Sequence, residues 1–226
     1  MNSRFQLWVE GQDDLHVSCH LALKHNDLCE PDGKDPRGSE KIVPRFRVHS
    51  FKPDEEPLFG VDALLKRLPE ILKAPSYDRL GIVVDADDDP MKRWKRLRSI
   101  FINRGLSKVP LDLEEDGVVF EDEDQRRIGL WIWPDNKSQG MLENFIETMI
   151  PANDRLLPQA KKCVVEAIAI DRRFPESHQQ KAVIHTWLAW QETTGRPQGV
   201  AIQAGFLDSS SGLAQKYVAW LRHLFA

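Results

Sequence analysis

One stretch constrains this chain more than any other: Leu80-Gly81-Ile82-Val83-Val84-Asp85. Its apolar residues run on without alternation. That pattern belongs to a strand buried on both faces, which occurs in parallel sheets covered by helices on each side. The run ends in Asp85-Ala86-Asp87-Asp88-Asp89. A second strand-like run, Phe5–Val9, ends in Glu10-Gly11-Gln12-Asp13-Asp14. Each strand thus delivers carboxylates to its C-terminal end, where ligands bind in open α/β sheets. Crowded acids repel one another, and a fold accepts that cost mainly when a cation lies between them. The pair of clusters implies an oxygen-ligand site for Mg²⁺ or a similar hard ion.

Periodicity supplies the frame around these strands. A helix is expected from Asp13 or Asp14 to about Asn26, with Leu15, Cys19, Ala22 and Leu23 apolar. Residues 27–44 are rich in Gly, Pro and charge and read as an exposed loop. Arg45–Phe51 alternates and reads as a strand, and Gly60–Lys73 has helical spacing. After Arg79–Val84, Asp88-Asp89-Pro90 opens a helix to about Asn103. Gly117–Glu121 and Ile128–Trp133 read as two more strands. Helices are expected at 140–150, 154–172, 178–192 and 213–225. The order gives an α/β fold with a parallel central sheet flanked by helices. Residues 1–150 are expected to form a metal-binding unit, and 151–226 a helical extension packed on the same domain.

Composition excludes several classes. The net charge of -4 does not advertise nucleic-acid binding, although a local basic face can coexist with an acidic site. Cys19, Cys29 and Cys163 fit no zinc spacing and suit a reducing cytoplasm. No apolar run approaches the ~18 residues of a membrane span. No Gly-rich phosphate loop and no Ser-His-Asp or Cys-His pattern stands out.

A strand ending in Glu-Gly with an acid four residues past the Glu, followed one β-α-β-α unit later by a strand ending in Asp-x-Asp, resembles the Toprim domain. The matching residues are Glu10, Gly11, Asp14, Asp85 and Asp87. The stretches Gly140–Glu143 and Lys181–Gln191 are similar to small bacterial Toprim-related proteins of uncharacterised function. The resemblance covers residues 4 to 150 and extends to the nucleases related to the overcoming-lysogenization-defect proteins. It implies a Mg²⁺- or Mn²⁺-dependent enzyme acting on phosphodiester bonds in DNA or RNA, most simply a nuclease using water. Glu10, Asp85 and Asp87 would hold metal, with Glu10 also a general acid/base. Asp14 and Glu143 would add carboxylates, and Lys181 would stabilise developing negative charge. The same family habits offer a different reading, a non-catalytic module that binds metal or nucleotide beside a partner ATPase.

The residues themselves leave choices open. Asp85 and Asp87 share a side of an extended backbone, so both can reach one cation. Gly11 leaves the backbone open to a phosphate or a sharp turn. Asp13, Asp88 and Asp89 read as helix caps or solvated acids. Glu143 and Lys181 read equally as surface residues, and Asp135 and Asn136 as turn formers. His185 sits among apolar residues and reads as packed. Trp187, Leu188, Trp190, Trp220, Leu221 and Leu224 read as core. Lys92, Arg93, Lys95, Arg96 and Arg98 form a basic run beside the acidic cluster, either a nucleic-acid footprint or a solvated helix face. Neither Tyr77 nor Tyr217 lies in a context that suggests attack on DNA.

Overall fold

A computed structural model describes residues 4–50, 60–73 and 76–225. Strand β1 (Phe5–Val9) leads into α1 (Gln12–Leu23). A short 3-10 turn and a hairpin of β2 (Cys29–Lys34) and β3 (Glu40–Pro44) follow, then β4 (Arg47–His49). Next come α2 (Gly60–Lys73), β5 (Arg79–Asp85), α3 (Pro90–Asn103), β6 (Val118–Glu121) and β7 (Arg127–Trp133). The rest is helical: α4 (Leu142–Thr148), α5 (Leu156–Ile170), α6 (Gln179–Ala189), α7 (Gln198–Ala204) and α8 (Gly212–Phe225).

The central sheet has five strands in the order β4-β1-β5-β7-β6. All neighbours run parallel except β6, which lies antiparallel to β7. The continuous apolar run therefore occupies the middle strand, β5, with neighbours on both sides. From β1 the chain forms β4 on one side and then returns to form β5 on the other. The strand order thus reverses between β1 and β5, and a crevice opens there at their carboxyl ends.

Helices α2 and α3 cover one face, packing Leu64, Leu68, Trp94, Leu97 and Phe101 on Leu80, Ile82, Val84 and Leu130. On the other face Leu7, Val9, Val83, Trp131 and Trp133 share one core with residues of α1 and of α4 to α8. The C-terminal third thus completes a face of the sheet. Gly81 and Gly129 are register partners in β5 and β7. A Cβ at Gly129 would lie 2.8 Å from a methyl of Leu224, and one at Gly81 would lie 2.4 Å from Leu7 and 2.9 Å from Leu224. The glycine pair makes the notch that lets α8 approach the sheet. At the strand starts, Arg79 donates to the Leu224 carbonyl at 3.2 Å and Arg127 to that of His223 at 2.8 Å. Both cations sit at the negative end of α8.

Four expectations need revision. The segment read as an exposed loop contains the β2–β3 hairpin. The buried face of α1 is Asp14, Val17, Ser18, Leu21 and Ala22, while Leu23 is exposed, so the helix is rotated from its apparent stripe. Helix α7 went unread, and Trp190 is exposed where its neighbours are core. Phe51, expected at the end of the second strand, lies outside the described residues. Among those residues no helix is long and apolar enough to cross a membrane, and the three cysteines are free thiols.

Candidate functional site

The crevice at the strand reversal is where the two acidic segments meet. Glu10 follows the last residue of β1, and Asp85 is the last residue of β5. The two are joined directly: the Asp85 N–H donates to Glu10 Oε1 at 2.8 Å. Asp85 Oδ1 in turn accepts from the Leu142 N–H at 2.9 Å, which ties the start of α4 to the same strand end. The second oxygen of each carboxylate carries no hydrogen bond among the described residues.

Asp14 closes the group from behind. It occupies the third position of α1, where its Oδ2 accepts from the Gly11 N–H at 3.2 Å and holds the helix start. Its Oδ1 accepts from the Trp133 indole N–H at 2.8 Å. Gly11 has extended φ, so it makes no sharp turn. A Cβ there would lie 3.3 Å from Asp14 Oδ2, so the glycine leaves room for that carboxylate. Helix α4 repeats the device: the Met141 N–H donates to Asn144 Oδ1 at 3.0 Å. Asp13 and Glu143 therefore hold the same place, second in their helices.

Around these residues lies a cleft of about 510 Å³. Glu10, Asp13, Asp14, Asp85 and Glu143 line it, with His178 and Lys181 at its rim. Glu143 is buried, accepts from Gln198 Nε2 at 3.1 Å, and has Lys181 Nζ 3.7 Å away. Burial pushes the Glu10 carboxyl up to about 8, aided by the Asp14 charge and opposed by the Asp85 N–H and Arg93. Burial likewise takes Asp14 to about 7, against the pull of the Trp133 hydrogen bond, with Glu143 adding repulsion. Asp85 stands well above the ordinary carboxylate range through burial and the charges of Glu10, Asp14 and Glu143. Burial and mutual repulsion thus favour the protonated form of each of these groups, and a divalent cation displaces protons from such sites. The donor set, carboxylate oxygens from two strand ends and a helix start, fits a hard cation.

Asp87 does not join them. Its φ of +53° ends the extended backbone, so the period-two argument that put it beside Asp85 fails there. Its peptide pairs with Gly140, and its carboxylate turns to Arg93. Arg93 also donates from Nε to the Asp85 carbonyl at 2.9 Å. Asp87, Lys92, Arg93 and Arg96 line a separate depression of about 210 Å³ next to the cleft. The basic run is largely spoken for: Arg96 pairs with Asp62 at 3.3 Å, and Arg98 donates to the Pro110 carbonyl at 2.7 Å.

A family match covers residues 4–226. The chain belongs to DUF3226, described as a protein of unknown function. Comparison with curated proteins and with solved structures found no match.

The remaining residues of this DUF3226 chain resolve as follows. Asp89 caps α3, accepting from the N–H groups of Met91 at 2.8 Å and Lys92 at 3.0 Å, as expected of a capping acid. Asp135 and Asn136 form a turn: Asp135 Oδ1 accepts from Lys137 at 3.1 Å and Ser138 at 2.7 Å. Both tyrosines are fully buried, so neither presents its hydroxyl to a substrate. His185 is exposed rather than packed. One ligand atom from each of Asp13, Glu143 and His185 lies within 4.8 Å of the others. Asp13, Trp133, His178, His185 and Gln198 were not read as site residues. The only signal for Asp13 was its position beside Asp14. The others come from distant parts of the chain: His178 lines the cleft, Trp133 and Gln198 hydrogen-bond to Asp14 and Glu143, and His185 lies beside Asp13 and Glu143.

Proposed function

We propose that this chain is a Mg²⁺- or Mn²⁺-dependent enzyme acting on phosphodiester bonds, most simply a nuclease that cleaves DNA or RNA with water. The observation that carries this reading is the hydrogen-bonded pair of Glu10 and Asp85 at the strand reversal, each keeping an oxygen for a ligand. The Toprim resemblance points to the same two residues by a separate route. Glu10 and Asp85 would hold the cation, with Asp14 behind them. When bound, such an ion supplies Lewis-acid stabilisation of a phosphoryl group's oxygens. The rest falls to the protein. Glu10, whose carboxyl is pushed up to about 8, can hold or release a proton near neutral pH. Lys181 brings positive charge to the rim, where negative charge develops. The neighbouring depression lined by Lys92, Arg93 and Arg96 also carries Asp87, Asp88 and Asp89, so its charges balance and it adds no phosphate site to this reading. Asp87 serves this reading by orienting Arg93.

Purified protein is incubated with plasmid, single-stranded DNA and RNA in Mg²⁺ and in Mn²⁺, beside Glu10→Gln and Asp85→Asn. The wild type cleaves at least one substrate, and each variant loses roughly 10²-fold or more of the rate. Equal cleavage by wild type and variants refutes the assignment.

An apolar depression lined by Met91, Trp94, Ile102 and Leu111 favours a second reading. In it the chain binds metal or nucleotide and regulates a partner, for example an ATPase, through that surface. Tight Mn²⁺ binding with no cleavage of any substrate supports this reading over the first.

A further inference from the structure

A second group of ligand atoms lies beside the cleft, sharing Asp13 and Glu143 with its lining. Asp13 comes from the start of α1, Glu143 from the start of α4 and His185 from the middle of α6. Ligand atoms of all three lie within 4.8 Å of one another. Two atoms bound to one first-row ion at ~2.1 Å each stand at most ~4.2 Å apart. Asp13 and His185 are not fully buried, so side-chain rotation is available to draw the three atoms within that limit. Both helix starts are fixed, by the Asp14 and Asn144 side chains that accept from the Gly11 and Met141 N–H groups, and the Glu143 carboxylate is held by Gln198 Nε2 at 3.1 Å.

A separate observation points to a ligand here. Gln198 is fully buried, and its Nε2 donates to Glu143 Oε1 at 3.1 Å. The Oε1 of the same amide is buried with no partner among the described residues. A buried oxygen left without a donor or cation is destabilising. A cation on Glu143, or water on that cation, would satisfy it. Lys181 stands one helical turn from His185 on α6 and reaches Glu143 at 3.7 Å. It supplies there the positive charge that a cation would replace.

The geometry points to a second cation site at Asp13, Glu143 and His185, distinct from the Glu10–Asp85 pair and selective for a first-row transition ion of the Mn²⁺ or Zn²⁺ class. The selectivity follows from the imidazole. Mg²⁺ and Ca²⁺ take oxygen ligands, whereas a nitrogen donor beside two carboxylates favours Mn²⁺, Fe²⁺, Co²⁺ and Zn²⁺. This inference does not depend on catalysis and would stand in a chain that cuts nothing.

The test uses the full chain with Mn²⁺ alone as probe, read by pulsed electron paramagnetic resonance and by binding titration. Wild type is expected to show nitrogen coupling to the bound ion. His185→Gln, a change at an exposed position, should abolish that coupling and weaken binding of that ion at least about tenfold. Asp85→Asn should keep the coupling, so its failure to cleave would bear on the proposed reaction and not on this site. Absence of nitrogen coupling in the wild type overturns the site. Coupling that survives His185→Gln does the same. Coupling lost in Asp85→Asn shows one shared ion and overturns its separateness.

Discussion

Neutralising a proposed metal ligand should make this protein more stable. Burial and the Asp14 charge hold the Glu10 carboxyl at about 8 in the folded state, against an ordinary value of 4.5. A raised value means that the folded chain binds more protons than the unfolded one between those limits. The associated stability is complete below about pH 4.5 and is lost as the pH rises through about 8. The whole interval corresponds to roughly 5 kcal/mol. Asp14 and Asp85 titrate together with Glu10, so one substitution recovers only part of it, on the order of 2 kcal/mol. In a domain of this size that is about 4–8 °C in thermal midpoint. Glu10→Gln keeps a carbonyl to accept from the Asp85 N–H, so the hydrogen bond across the crevice survives. Thermal melts followed by circular dichroism in a chelator, at pH 4.5, 6, 7.5 and 9, should give a gap between variant and wild type that opens with pH. Adding Mg²⁺ at pH 9 should raise the wild type and largely close the gap. A gap that stays constant with pH, or a variant that is less stable throughout, refutes the argument that charge repulsion strains this site.

Three further outcomes follow from particular contacts. Gly129→Ala should cost about 1–3 kcal/mol by thermal melting, because its Cβ would lie 2.8 Å from Leu224, and should cost less when made in a Leu224→Ala background. Asp89→Ala should cost about 1 kcal/mol by removing the α3 cap, while Mn²⁺ affinity by titration stays as in the wild type. Trp133→Phe removes the 2.8 Å bond that holds the Asp14 carboxyl down, so Asp14 binds its proton more tightly. Stabilisation by Mn²⁺ should then set in at a higher pH than in the wild type, as read from melts across a pH series.

The parts of this fold that were legible in the sequence are those set by local periodicity. The unbroken apolar run of β5 could only be a central strand, and its terminal Asp85 could only lie at a carboxyl end. The 3.6-residue spacing of α2 and the Asp89-Pro90 start of α3 were equally local. What escaped depended on contacts across the chain. Helix α7 carries Gly199, whose missing Cβ admits the backbone of His16 at 2.7 Å, and that docking on α1 leaves no periodic trace. The site divides in the same way. Glu10 and Asp85 follow from strand ends, and Asp14 from its spacing. Asp87 misled because a single left-handed residue breaks the alternation on which its placement rested. His185 looked packed because its neighbours Val183, Ile184, Trp187 and Leu188 are core, and only the orientation of α6 reveals that it faces outward.

The notch formed by Gly81 and Gly129 also bears on how the chain is made. Leu224, which fills it, is synthesised some ninety-five residues after Gly129. Until α8 emerges from the ribosome, the notch over β5 and β7 stays open, and the sides of Leu7 and Trp131 that Leu224 and Trp220 cover are exposed. The acidic strand ends come early in translation, but the support that α8 gives beneath them follows much later. A chain clipped ahead of α8 would carry every carboxylate of the candidate site on a sheet with the notch side of one face uncovered, and exposed apolar surface of that kind draws chaperones and proteases.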